Sequence, residues 1–418
     1  MILLRNIRLD GVPVNLFIRG DRIHRILPFP EEGGLRADET VDCTGKAVIP
    51  GFVNMHTHAA MVLLRGITED VPLDQWLSRI WAMEAKMDQE FIYWGTRVAC
   101  LEMIRSGTTT FNDQYWFAPY ARQAAVEMGI RPYISFVILD RFDPATAEHQ
   151  RRKCIELYEQ SLDWTEASHL AMSVHSVYTV SEEMIRWASR FAVDHGMKLH
   201  IHLSETEKEN IDCRKAHGGL SPTEYLDSLG VLGPHMIAAH AIWLSPHDVE
   251  LLGKNRVNCV HNINSNAKLA SGYRFLYDEL KSAGANICLG TDGASSSNNL
   301  DMLETMKTSA LFQKAWGQDP SAMPLRELMD CATVNGARAL GLETGEIREG
   351  AIADLSLVDI DNSYFLSPGS FLANLVYTAH SDVISSVIAA GRFVMRDRVV
   401  EGEEEILAGA RKVLPQIL

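Results

Sequence analysis

The sequence predicts an α/β chain: a (β/α)8 TIM-like barrel with a small β-sandwich domain built from both termini. Three observations predict it. Eight apolar, strand-like runs in the middle alternate with helical sequence, ending near Met55, Phe111, Ile138, Val174, Ile201, Ala239, Val260 and Leu289. Both ends of the chain read instead as short strands separated by turns. Histidines and carboxylates gather where the middle runs end, the rim on which such barrels carry their chemistry.

Taken in order, residues 1–50 give strand candidates at Ile2-Leu3-Leu4, Val14–Ile18 and Arg22–Leu27, punctuated by Gly11 and Gly20-Asp21. The barrel then occupies 51–344. Its helical patterns include Glu90–Ser106 and Glu182–His195. Gly107, Gly129, Gly196 and Gly284 fall shortly after helices, where a left-handed cap is expected. Residues 345–418 return to the texture of the N-terminus. Gly345–Gly350 reads as turn-strand-turn, and Ala353–Val358 and Val387–Val394 each read as a strand. The two ends together form one composite β domain. An open doubly wound sheet is the alternative, but no G-x-G-x-x-G follows an early strand.

Composition narrows the function. The 418 residues are 46% hydrophobic and 22% charged, ordinary for a soluble enzyme. A formal charge of −15 argues against nucleic-acid binding, which needs clustered cations, and against an anionic membrane surface. No stretch approaches the roughly 20 apolar residues of a membrane helix. Arg5 interrupts the N-terminus too early for a signal-peptide core. The seven cysteines are odd in number and lack C-x-x-C spacing, as expected of reduced thiols in a cytoplasmic protein.

The chemistry starts at His56-Thr57-His58, which ends the apolar run Ala47–Met55. Residues two apart on a strand share a face, so both imidazoles can reach one metal ion. Alone, the pair reads equally well as two solvated histidines at a strand end. Other strand ends add weight. The fourth gives His175, the fifth His202 followed by Glu205, the sixth His240, and the eighth Asp292. Three neutral imidazoles and one carboxylate suit a divalent metal with a position left for water. The ligands proposed are His56, His58, His202 and Asp292. His200 shares a face with His202, and either could ligate; His202 is preferred because it lies nearer the strand's C-terminal end. For His240 the competing reading is a buried histidine with a backbone partner. His261, after the seventh strand, has a weaker claim.

His56-Thr57-His58, His202–Thr206, Ala239-His240, Ser265–Gly272 and Gly290–Ala294 together resemble the amidohydrolase superfamily. More narrowly, they resemble its branch that deaminates 5′-methylthioadenosine, S-adenosylhomocysteine and related adenosines. The similarity runs over nearly the whole chain, including Leu63–Gly66 and Gly345–Asp354. Relatives sharing these motifs act on guanine, pterins and triazines, some as chlorohydrolases. A non-catalytic ligand-binding barrel is the reading from another class, and the presence of Glu205, His240 and Asp292 together speaks against it.

The resemblance implies one divalent metal, Zn2+ first, with Fe2+, Mn2+ or Ni2+ also compatible with the donors. The metal would lower the pKa of its bound water. Glu205 would protonate the ring nitrogen beside the amino-bearing carbon, while His240 and Asp292 orient the water and take its proton. The fourth strand, Leu170–His175, lacks the lysine that bridges two metals in other members, which favours one ion. Glu84 matches a carboxylate that binds the ribose hydroxyls, and His175 a histidine that contacts the purine. Trp76 would wall the pocket or pack the core. Members that bind S-adenosylhomocysteine present an arginine at the end of strand three; here Phe136 stands there. Arg141, Arg151 or Arg152 would have to replace it. The partner implied is a small nucleoside, and family members often form dimers or tetramers.

Overall fold

The computed structural model describes residues 1–165 and 167–417. Eight parallel strands line up in chain order: β1 Phe52–Thr57, β2 Thr108–Tyr115, β3 Arg131–Ile138, β4 His169–Val174, β5 Leu199–Leu203, β6 Met236–His240, β7 Asn258–His261 and β8 Asn286–Leu289. Almost every residue in them is buried, as expected of strands covered on both faces. Helices alternate with them. Among these, Gln89–Arg105 begins where Asp88 accepts the Phe91 N–H, and Glu182–Asp194 ends just before Gly196. All four glycines expected after helices are left-handed, with φ of 90°, 78°, 65° and 100° in order.

The barrel nearly closes between β1 and β8, where β1 bonds the residues that follow β8. Asn54 Nδ2 donates to Thr291 Oγ1 at 2.7 Å, and the Thr291 N–H donates to Asn54 Oδ1 at 3.1 Å. The Asp292 N–H donates to His56 O at 2.9 Å. Gly290 permits this approach, since a Cβ there would lie 2.9 Å from His56 Cβ and 2.5 Å from Asn262 Oδ1.

The terminal strands form a second, mixed sheet. Its order is Arg392–Met395, Ile384–Ala389, Leu355–Asp359, Lys46–Pro50, Ile2–Leu9, Val12–Arg19 and Arg22–Pro28, with Glu39–Asp42 pairing parallel to Ile2–Leu9. Its own core comprises Leu4, Ile7, Leu16, Ile18, Val48, Leu355 and Ile388, among others. Gly51 joins Lys46–Pro50 directly to β1.

Two expectations need correction. Gly345–Gly350 contains turns but no strand; the nearby bridge pairs Arg22 with Ile352. The stretch read as one strand over Val387–Val394 is a hairpin, because Ala390 and Gly391 both turn left-handed, at φ 46° and 75°. No helix among the described residues is long and apolar enough to cross a membrane. All seven cysteines are buried and unpaired.

Candidate active site

The C-terminal strand ends bring His56, His58, His202, His240 and Asp292 together. Asp292 Oδ1 lies 3.3 Å from His56 Nε2 and 3.3 Å from His58 Nε2. His202 Nε2 lies 3.3 Å from His58 Nε2. The possible donor atoms fall into two overlapping groups, His56-His58-His202 and His56-His240-Asp292, each within 4.8 Å.

Proton placement shows what this cluster can hold. His58 Nδ1 is 2.6 Å from Gln114 O, and His202 Nδ1 is 2.8 Å from His175 O. A carbonyl only accepts, so both Nδ1 atoms carry hydrogen. Burial, then the neighbouring imidazoles, holds the His202 pKa well below its ordinary value, so its ring is neutral. Its Nε2 lone pair therefore faces His58 Nε2 with no proton of its own to share. His56 Nε2 is fully buried and faces Asp292 Oδ1, while its Nδ1 sits 2.8 Å from His200 Nε2. Burial lowers the His56 pKa to about 4. Asp292 is opposite: burial would raise its pKa, but His56, His58 and His240 hold it well below the carboxylate range. The Nε2 lone pairs of His58 and His202, converging beside the Asp292 anion, fit a divalent cation.

His200 lies behind His56, between it and Asn112, and does not reach the cluster directly. His261 is buried against Phe275, with ring centroids 4.4 Å apart, and belongs to the core.

The acid–base candidates flank the cluster. Glu205 Oε2 lies 3.8 Å from His240 Nε2. Burial, reinforced by Asp292, pushes the Glu205 pKa up to about 8. The Asn266 amide lies 3.0 Å from His240 Nδ1 and steadies that ring. His240 and Asp292 both adopt left-handed backbone, at φ 74° and 63°. Such strain in non-glycine residues gathers at functional sites, where the surroundings enforce it.

A cavity opens over the cluster. His58, His202, Glu205, His240 and Asp292 line it, and helix Leu73–Glu84 adds Trp76, Ile80, Trp81 and Glu84. Trp76 is buried as well as facing the cavity, so wall and core are one role. Burial raises the Glu84 pKa, and hydrogen bonds from Tyr115 and Trp116 oppose the rise. His175 also lines the cavity. Its Nδ1 is engaged by Thr179 Oγ1 at 2.9 Å and Ser176 Oγ at 3.1 Å.

Beyond Trp81 and Glu84, the cavity borders a recess walled by Met87, Trp116, Phe117, Phe136, Leu139 and Leu157. Arg141 stands at this recess, its guanidinium 5.4 Å from the Trp81 ring centroid. Arg151 is instead paired with Glu183 at 2.6 Å, and Arg152 lies 3.9 Å from Glu148; neither lines the recess. Lys153 does, and no motif in the sequence marks it.

A model of the amidohydrolase family matches residues 47–394. The chain belongs to the amidohydrolase family. This amidohydrolase is 41% identical over 414 residues to a 5-methylthioadenosine/S-adenosylhomocysteine deaminase of Archaeoglobus fulgidus, covering 97% of this chain and 96% of that one. It is 42% identical over 416 residues to a 5′-deoxyadenosine deaminase of Methanoregula boonei, covering 98% and 93%. Among solved structures, it superposes on a zinc-bound adenosine deaminase from Xanthomonas campestris with a TM-score of 0.93. The identity there is 31%, over 100% of this chain and 98% of the other. A zinc-complexed atrazine chlorohydrolase from Arthrobacter aurescens shares the amidohydrolase fold at a TM-score of 0.90 and 21% identity.

Two buried carboxylates of this amidohydrolase escaped the sequence reading. Asp113 accepts from the Ala59 N–H at 2.7 Å and Thr57 Oγ1 at 2.9 Å, bracing the segment that carries both first-strand histidines. Glu209 accepts from the Ser204 and Glu205 N–H groups at 3.0 and 2.8 Å. The only signal for Glu209 is Thr206-x-x-Glu209, which reads as an ordinary helix cap.

Proposed function

We propose that the protein is a mononuclear metal-dependent aminohydrolase. It converts the 6-amino group of an adenosine-like nucleoside to the inosine-type product and ammonia. The observation that carries this reading is one cavity whose lining joins a buried, proton-holding Glu205 to the imidazole–Asp292 cluster and to Glu84. The names of the similar proteins support the same substrate class.

His56, His58, His202 and Asp292 would hold the ion, Zn2+ by preference given the zinc-bound neighbours. When bound, it supplies activated water at neutral pH. Glu205, protonated while buried, donates to the ring nitrogen adjacent to the amino-bearing carbon and makes that carbon electrophilic. His240 and Asp292 orient the attacking water, and Asp292 accepts its proton. The same carboxylate returns a proton to the departing ammonia, and the proton left on the added oxygen passes to Glu205 as the carbonyl forms, restoring the acid. Glu84 accepts from the two ribose hydroxyls, and a carboxylate is the strongest available acceptor for that pair. His175 meets the purine, and Trp76 closes over it. The seven unpaired, buried cysteines support a reducing, cytoplasmic setting.

Two variants test the chemistry. His202→Ala should lose both metal and turnover. Glu205→Gln should keep stoichiometric metal yet lose turnover. Continued deamination by the second variant refutes the assignment of the acid.

The recess beyond Glu84 bears on the 5′ substituent. Phe136 stands where a carboxylate-binding arginine is expected, and the surrounding wall is largely aromatic and aliphatic. We therefore expect methylthioadenosine, 5′-deoxyadenosine or adenosine to be turned over better than S-adenosylhomocysteine. Steady-state kcat/KM for the four substrates decides it; a clear preference for the homocysteine adduct would show that Arg141 or Lys153 receives the carboxylate.

A further inference from the structure

The chain closes T-x-x-E or S-x-x-[ED] helix starts in two different ways. At Ser221 and Ser245 the box is local. Glu224 accepts the Ser221 N–H at 2.7 Å, and Asp248 accepts the Ser245 N–H at 2.7 Å. At Thr206 only half of the box forms: the Thr206 hydroxyl accepts the Glu209 N–H at 3.0 Å. The Glu209 carboxylate passes its own cap residue and reaches further back. One oxygen takes the Ser204 N–H at 3.0 Å and the other the Glu205 N–H at 2.8 Å.

Those two amides form the turn by which the chain leaves β5. Ser204 is left-handed there, at φ 48°, and its carbonyl accepts the Ile242 and Trp243 N–H groups at 3.1 and 2.9 Å. The turn decides where Glu205 projects. Glu209 is itself only 5% exposed, which is costly for a carboxylate used merely as a cap. A bidentate main-chain clamp directly beneath the side chain that transfers the proton has geometric value that a local cap lacks.

We infer that Glu209 is a positioning residue for catalysis: it holds the strained Ser204-Glu205 turn so that the Glu205 carboxyl meets the substrate ring nitrogen. This rests on the reading of Glu205 as the proton donor. Glu209 does not touch the substrate or the reacting atoms, so its effect must pass through Glu205.

The test uses metal-loaded full-length protein and three variants: Glu209→Gln, Glu209→Asp and Glu205→Gln. In Glu209→Gln one main-chain N–H faces an amide NH2, so kcat should fall about 10–100-fold, the loss expected when a catalytic group is displaced by roughly an ångström. KM and metal content should stay near wild type. Glu209→Asp keeps both acceptor oxygens but is one methylene shorter, and should lose less than Glu209→Gln. Purine ribonucleoside provides a readout without turnover. Hydration across carbon 6 and nitrogen 1 of this analogue needs the same proton at nitrogen 1 that the reaction needs, so its affinity tests delivery of that proton. Glu209→Gln should weaken this binding while leaving inosine binding unchanged. Combining it with Glu205→Gln should cost no more than Glu205→Gln alone.

Wild-type kcat in Glu209→Gln overturns the inference. So does further loss of purine ribonucleoside affinity in the double variant, or loss of metal in proportion to activity in both Glu209 variants. Full turnover by Glu205→Gln refutes the underlying reading of the acid instead, whatever Glu209 does.

Discussion

Asp113 illustrates how far the site depends on residues that carry out no chemistry. It is buried at the end of β2 and braces Thr57 and Ala59, on either side of His58. Burial pushes its carboxyl pKa up to about 6, more than those two hydrogen bonds offset. In the unfolded chain the carboxyl ionises near pH 4. Between the two values the folded protein keeps a proton that the unfolded chain has released. The resulting stability is full below the unfolded pKa and is lost as pH rises through the folded one. Asp113→Asn keeps an acceptor oxygen and removes the charge. Wild-type stability relative to this variant should fall by about 1 kcal/mol from roughly pH 5 to 7, measured by urea unfolding. A flat or rising difference would show that the carboxylate is better solvated than its burial indicates. Asp113 and Glu209 were illegible in the sequence for one reason: their partners include main-chain N–H groups, which leave no side-chain pattern. His56, His58, His202 and Asp292 were legible because strand alternation and strand ends fix where side chains converge. Alternation alone left His200 beside His202, and only the fold shows that His200 stands behind His56.

Elements were legible where burial on both faces made long apolar runs, which is why the eight barrel strands stood out. They were less so where tertiary contacts choose the turn. The hairpin after Ile384–Ala389 puts Ala390 in a left-handed conformation that alanine rarely adopts. What compensates is distant: the Ala390 N–H donates to Asp354 Oδ1 at 2.7 Å. Gly290 is a closer case, because its local sequence, Leu289-Gly290-Thr291-Asp292, reads simply as a strand end. Its φ is not left-handed; its need is for space against β1. Gly290→Ala would drive a methyl into His56 and Asn262, moving backbone that carries one candidate ligand and precedes another. Overpacking of this kind costs about 1–3 kcal/mol. We expect a lower Tm together with weakened metal retention on dialysis. A destabilised variant with unchanged metal affinity would mean that β8 shifts as a unit and carries Asp292 with it.

At the scale of the molecule, two sheets built from separate parts of the chain must hold a fixed relation. The decisive contact joins Arg131, where β3 begins, to Asp354, which precedes Leu355–Asp359. Their atoms are 2.6 Å apart and 223 residues apart in sequence, and the two side chains are 7% and 0% exposed. No local pattern reveals such a pair. Asp354 also accepts the Ala390 N–H through its second oxygen, and its carbonyl accepts the Gly51 N–H at 2.9 Å. One residue thus ties the barrel, the hairpin and the joint into β1. Removing a single partner from a buried ion pair leaves the other charge stranded, which costs about 3–5 kcal/mol. Asp354→Asn and Arg131→Gln should each lower stability on that scale, and salt should do little to mask it, because the pair is shielded from solvent. The double variant strands no charge, so its loss should be smaller than the sum of the single losses. The pair sits at the opposite end of β3 from the catalytic rim. The kcat of folded protein at a permissive temperature should therefore match wild type in all three variants. Strictly additive losses would make the pair incidental to the join. A fall in kcat without a fall in Tm would mean that strain at the barrel's base reaches the histidines, and the two ends would then have to be treated as one mechanical unit.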